Sequence, residues 1–296
     1  MSHEKNYLTE IFSLITTNSG ECVGNGANCL SKETASLLSD FLKYTGPDPI
    51  KHAKNHFSCK TETCVINQPS FIDFLKNKTT SDQQKKIRQD ILSNIKLAGP
   101  RNSMDLLTNT QIDNVLNQWA AQFPDFYNCP FAMIDFAETN DDLNRIDFEK
   151  VYNGEMKQKI FTKTVTRPCK TFGCVLNTDV STGVGKHWVC LFIDMRSEYI
   201  WTIEYFNSSG RAPPKEMIKF MSQTRNKLQK FANKKNIKVI ATPVTDIVHQ
   251  QSKSECGPYT LFYIRARLEN VPYQYFSTNQ VPDEFMVKFR KHLFLK

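Results

Sequence analysis

The stretch His249-Gln250-Gln251-Ser252-Lys253-Ser254-Glu255-Cys256-Gly257-Pro258-Tyr259, running on through TLFYIRARL to Leu268, decides how this chain is read. Pro258 suits the first turn of a helix, where its missing N–H does no harm. The apolar residues after it recur at helical spacing, which predicts a helix from Cys256 to about Leu268. Cys256 then stands at a helix N-terminus. The partial positive charge there favours thiolate over thiol, as does any nearby imidazolium. Gly257 leaves room for a substrate to approach the sulfur. The backbone N–H of Cys256 is a free donor suited to an oxyanion, and a side-chain amide just upstream can supply a second. Gln250 is the candidate, with Gln251 beside it as the alternative.

A base for that thiol is sought in the strands that precede it. Trp188–Asp194 (WVCLFID) and Ile200–Phe206 (IWTIEYF) read as a pair of strands, and Lys238–Val244 as a third. An antiparallel hairpin turning near Ser197 sets Trp188 opposite Phe206 and, one step outward, His187 opposite Asn207. An imidazole and a carboxamide meet in this way at one sheet edge. The amide oxygen can accept from one ring nitrogen and leave the other free as a base. Each residue alone has a plainer reading: a buried thiol, a structural histidine, a turn at Asn207-Ser208-Ser209-Gly210. The joint order is much harder to obtain by chance: His-Trp before a strand, Asn after the next, then Gln-x5-Cys-Gly at a helix start.

Further out, apolar spacing predicts other helices. One carries Leu37, Leu38, Phe41 and Leu42 behind a Ser31 cap. Another carries Ile87, Ile91, Leu92 and Ile95 behind a Ser81/Gln84 capping box. Others carry Ile112, Val115, Leu116 and Trp119; then Met217, Met221, Leu228 and Phe231 after Pro213-Pro214; and last Phe285, Met286, Phe289 and Leu293. Gly99-Pro100 breaks the chain between an N-terminal helical segment, 1–99, and a mixed domain, 100–296. Strands and helices in this order give an α+β domain with a mostly antiparallel sheet.

Composition narrows the class. With 296 residues, 40% hydrophobic and 23% charged, the chain reads as globular, and no run is long enough to span a membrane. The N-terminus lacks the features of a signal peptide. Nine cysteines without such a signal argue against a disulfide framework, so most are expected as free thiols.

The matched segments also carry a family resemblance. GPRNSMDLLTN, NCPFAMIDF, RPCKTFGCVLNTD, STGVGKHWV, IEYFNSSG and SECGPYTLFYIRARLENV resemble the Ulp1-type cysteine proteases, the clan that includes the SUMO-specific and adenovirus proteases. Within it the chain is similar to the polyprotein-processing proteases of large DNA viruses of the African swine fever type. The resemblance implies a Ulp1/adenovirus-protease-like core behind an N-terminal helical arm domain. It implies a catalytic triad of His187, Asn207 and Cys256, with Gln250 in the oxyanion hole and Trp188 roofing a narrow channel for Gly-Gly. It also implies substrates: viral core polyproteins cut after Gly-Gly during particle maturation, in the host cytoplasm and virion core. No cofactor is expected. The SUMO-specific enzymes place Asp where this chain has Asn207, which leaves the resting charge of the Cys–His pair open.

Other readings have weaker support. The formal charge of +8 fits a basic virion structural or nucleic-acid-binding protein, or a protease that also meets viral DNA or core shell proteins. The basic clusters 85–88 and 234–238 lack interleaved aromatics and read as solvated faces. His52, His56, Cys59 and Cys64 are zinc-type ligands at a spacing that fits no common finger. Cys169 and Cys174 read as core or loop thiols. Gly183-Val184-Gly185-Lys186 is no P-loop, because Val180 and His187 stand where Gly and Ser or Thr are needed. Removal of host ubiquitin-like modifiers, which also end in Gly-Gly, is the alternative within the protease class.

Overall fold

The computed structural model describes residues 7–13, 30, 32–59, 62–66, 68–80, 83, 84, 87, 97–102, 105–139, 141–161 and 163–295. The chain divides into two compact units, one of Met1–Ile15 with Leu97–Lys296 and one of Thr16–Lys96. The break near Leu97 lies close to Gly99-Pro100. The short helix at 7–13 departs from the expected division at 1–99, because Leu8 and Ile11 are buried in the core of the larger unit.

In the larger unit a six-stranded sheet runs in the order Phe126–Asn128, Thr171–Asn177, Trp188–Asp194, Ile200–Phe206, Lys238–Val244, with Ala132–Met133 also on the Thr171–Asn177 strand. The three long central strands are antiparallel to one another, as expected, while the outer strands join parallel, so the sheet is mixed. The Trp188 strand reads as continuously apolar because both its faces are covered. Trp188, Cys190 and Phe192 enter one apolar layer with the Cys256–Leu268 helix, and Val189, Leu191 and Ile193 enter the other with the Lys215–Asn233 helix.

The Cys256–Leu268 helix, predicted from Pro258 and its apolar spacing, is buried along its whole length. It is tied to the sheet by charge as well as by packing. Arg267 donates to both Glu204 oxygens at 2.8 and 2.9 Å, and the Tyr263 hydroxyl donates to Glu204 at 2.7 Å. Glu204 is fully buried, so these bonds satisfy a charge that would otherwise be costly there. At the other end, Arg290 of the Asp283–Leu293 helix donates to the Glu255 carboxylate at 3.1 and 3.2 Å, and Glu255 directly precedes Cys256. The Asn109–Gln122 helix starts at a capping box of Thr108 and Gln111. Of the 234–238 cluster, the basic residues are exposed and Ile237 is buried.

The smaller unit contains helices Lys32–Leu42, Pro49–His56, Glu62–Ile66 and Pro69–Lys78 around Leu38, Ile50, Ala53, Val65 and Phe71. Ser31, Ser81, Ile91, Leu92 and Ile95 lie outside the described residues; the capping pattern found near Ser81 uses Thr80 and Gln83, one residue earlier. Cys59 and Cys64 are joined as a disulfide, His52 stacks on Tyr44 and His56 packs edge-on against Phe57. Cys22 and Cys29 lie outside the described residues, and Cys129, Cys169, Cys174, Cys190 and Cys256 are free and buried. No helix among the described residues is long and apolar enough to cross a membrane.

Candidate active site

His187 stands immediately before the Trp188 strand. The loop leading to it is pinned: Asn177 Oδ1 accepts from the Lys186 N–H at 2.9 Å, and Asp179 Oδ2 accepts from the Gly185 N–H at 3.1 Å. Gly185 has φ +91, a conformation that favours glycine, so its place in the loop has a backbone reason. The ladder to the neighbouring strand continues through a bond from the Thr178 N–H to the His187 carbonyl at 2.9 Å.

Asn207 follows the next strand, and its Oδ1 lies 2.8 Å from His187 Nε2. The hairpin register expected from the sequence is corrected. Cys190, not Trp188, faces Phe206, and Asp194 faces Thr202, so the turn is centred on Glu198. Its cause is local: the Ser197 hydroxyl accepts from the N–H groups of Tyr199 and Ile200 at 3.1 Å and makes a longer turn. The offset is two residues, an even number, so every side chain keeps its face. His187 and Asn207 still meet, diagonally, within reach of an imidazole.

The orientation of the Asn207 amide is fixed by its other partners. Its Nδ2 donates to the Arg211 carbonyl at 3.1 Å, and its Oδ1 accepts from the Ser209 N–H at 3.0 Å. Oδ1 can only accept, so His187 carries its proton on Nε2 and leaves Nδ1 free to act as a base.

Cys256 begins its helix and is 4% exposed. Burial pushes its thiol pKa up, opposed by the backbone N–H groups of Trp188, Gly257 and Cys256. The Trp188 N–H belongs to the residue after His187, so base and thiol converge at the head of one strand. Burial also holds the His187 imidazole below its ordinary pKa, with the Asn207 bond opposing and the Arg211 charge assisting. Both shifts favour the uncharged forms. Burial thus works against an ion pair between Cys256 and His187, the question that the sequence left open.

Of the two upstream glutamines, Gln250 is the one tied to Ser208, the residue that follows Asn207. Its Oε1 accepts from the Ser208 hydroxyl at 2.8 Å, and its Nε2 donates to the Ser252 carbonyl at 2.8 Å. The Gln251 side chain is exposed, and its backbone N–H goes to Asp283. Trp188 is 8% exposed, donates its indole N–H to the Leu107 carbonyl at 3.0 Å and meets the edge of Phe131. The space beside Gly257 is not open as expected: a Cβ there would stand 3.0 Å from Leu107. The glycine lies close against the segment that anchors the Trp188 indole, so an added methyl would press on Leu107. Ser208, Leu107 and Arg211 were missed by sequence reasoning. Ser208 sits beside Asn207, but its bond to Gln250 spans 42 residues and leaves no local signal.

A thiol at a helix N-terminus, a histidine oriented by an amide and a second amide nearby can carry out acyl transfer by nucleophilic catalysis. Comparison with known proteins bears on this. Residues 114–296 match the model of the Ulp1 protease family, C-terminal catalytic domain. The chain is 44% identical to the SUMO-1 cysteine protease of African swine fever virus over 287 residues, 96% of this chain and 98% of the relative. A crystal structure of the protease from African swine fever virus superposes with a TM-score of 0.66 at 42% identity, covering 93% of this chain and 94% of the other. The chain belongs to the Ulp1 protease family and is a cysteine protease of that type.

Proposed function

We propose that the chain is an endopeptidase that cleaves after Gly-Gly in viral core polyproteins, working in the host cytoplasm and in the maturing virion core. The observation that carries the catalytic assignment is the 2.8 Å contact between His187 Nε2 and Asn207 Oδ1, at the residue before Trp188, which shares a buried apolar cluster with Cys256. His187 Nδ1 takes the Cys256 proton as the sulfur attacks the carbonyl carbon of the second glycine. The C=O electron pair moves onto oxygen, where the Cys256 N–H and the Gln250 amide stabilise it. Collapse of that intermediate breaks the C–N bond, and His187 gives its proton to the leaving amine. Water, deprotonated by His187, then attacks the thioester, and the carboxylate leaves as Cys256 recovers its proton.

Gly-Gly specificity is expected if the channel beside Trp188 has no space for side chains. The test is cleavage of matched Gly-Gly-Xaa and Gly-Ala-Xaa peptides. Strong preference for the first supports the reading, and equal rates overturn it. Preference for a ubiquitin-like modifier over a core polyprotein fragment of the same terminal sequence would move the substrate class to host modifiers.

A further inference from the structure

Ser208 is fully buried at the end of the strand that delivers Asn207. Its carbonyl accepts from the N–H groups of His249 and Gln250 at 2.9 and 3.0 Å. Its hydroxyl donates to Gln250 Oε1 at 2.8 Å. Backbone and side chain of one residue therefore grip Gln250 together. The opposite end of the same amide donates to the Ser252 carbonyl at 2.8 Å. A carbonyl can only accept, so that end is the nitrogen and Ser208 must be the donor at the other. The amide nitrogen carries two hydrogens. Ser252 uses one, and the second is left for a ligand.

We propose that Ser208 is the positioning residue for the Gln250 carboxamide, holding its oxygen so that the remaining N–H is presented to the oxyanion. This rests on the reading of Gln250 as the oxyanion donor. The consecutive side chains of Asn207 and Ser208 then divide the work. Asn207 orients the base, and Ser208 orients the oxyanion donor, so one dipeptide sets both to a common frame. Preorganised donors are effective because they need no rearrangement as charge develops. Without the Ser208 hydroxyl, Oε1 loses its donor and only the Ser252 bond still restrains the last torsion of the amide.

The test compares Ser208→Ala, Gln250→Ala and the double variant in peptide hydrolysis and in alkylation of Cys256 by iodoacetamide. Alkylation forms no oxyanion, so it reports the thiol and His187 but not Gln250. Hydrolysis is referred to the number of alkylatable Cys256 sites, which removes misfolded chains from the comparison. Ser208→Gly serves as a second hydroxyl-free variant if the alanine form does not fold. Ser208→Ala is expected to lower kcat about tenfold, less than the hundredfold or more typical of losing an oxyanion donor. KM should stay within about twofold and alkylation unchanged, and the double variant should match Gln250→Ala. An unchanged kcat, a parallel loss of alkylation, or an equal Ser208→Ala effect in the Gln250→Ala background would overturn the proposal. A Gln250→Ala variant with wild-type kcat would instead overturn the oxyanion reading beneath it, whatever Ser208→Ala does.

Discussion

Replacing Asn207 by alanine isolates the orientation of the base. Asn207 is 2% exposed, and its Oδ1 serves His187 Nε2 at 2.8 Å together with the Ser209 N–H and hydroxyl at 3.0 and 2.8 Å. Alanine leaves the imidazole N–H without its acceptor in a half-buried site. Such a loss costs about 1–3 kcal/mol, which is roughly 5- to 150-fold in rate. Because burial disfavours the charged forms of both groups, the loss falls on orientation and on the imidazolium that forms during attack. The assay is kcat/KM with a fluorogenic Gly-Gly peptide across pH, alongside a thermal melt. Burial holds His187 below 6.5, so the acid limb of the wild-type profile should lie below that value. Asn207→Asp keeps the acceptor and adds a negative charge, which raises the histidine pKa and should move that limb upward. A folded Asn207→Ala enzyme within twofold of wild type would mean that the amide does not orient the imidazole.

Three further outcomes follow from the same geometry. Alkylation of Cys256 should accelerate steadily with pH through the neutral range, since burial raises the thiol and lowers His187; a plateau from about pH 5 to 8 would reveal an ion pair instead. Arg290→Ala strands the buried Glu255 carboxylate and should destabilise the fold by about 3–5 kcal/mol, read as a large fall in Tm. Adding Glu255→Gln should restore much of it, and no restoration would mean that the pair is not the cause. Gly257→Ala pushes Leu107 aside and should cost about 1–3 kcal/mol while changing Trp188 fluorescence; an unchanged spectrum would contradict the link through Leu107.

The parts of the fold carried by local pattern were legible in the sequence. Pro258 and the apolar spacing after it marked the Cys256–Leu268 helix at both ends, and continuous apolar runs marked the central strands. Strand direction at the sheet edges was not legible, because a run such as Lys238–Val244 looks alike parallel or antiparallel. The hairpin register slipped by two because the Ser197 hydroxyl lengthens the turn, a side-chain effect that strand pattern does not encode. The pairing of His187 with Asn207 survived because the slip was even. Links across long separations, such as Ser208 with Gln250 and Arg290 with Glu255, exist only in the folded chain. The Cys59–Cys64 disulfide lies in the segment whose ligand-like residues invited a metal reading. The pull of burial on Cys256 and His187, up for the thiol and down for the imidazole, was not legible either, because burial is a tertiary property.

The most direct measurement is cleavage of a Gly-Gly-Xaa core polyprotein fragment by wild type, Cys256→Ala and His187→Ala, with mass spectrometry of the trapped acyl-enzyme. Wild type should cleave after the second glycine and carry a thioester on Cys256, and both variants should lose activity by several orders of magnitude. Cleavage retained by Cys256→Ala, or an acyl group on any other residue, would contradict the assignment of Cys256 as nucleophile.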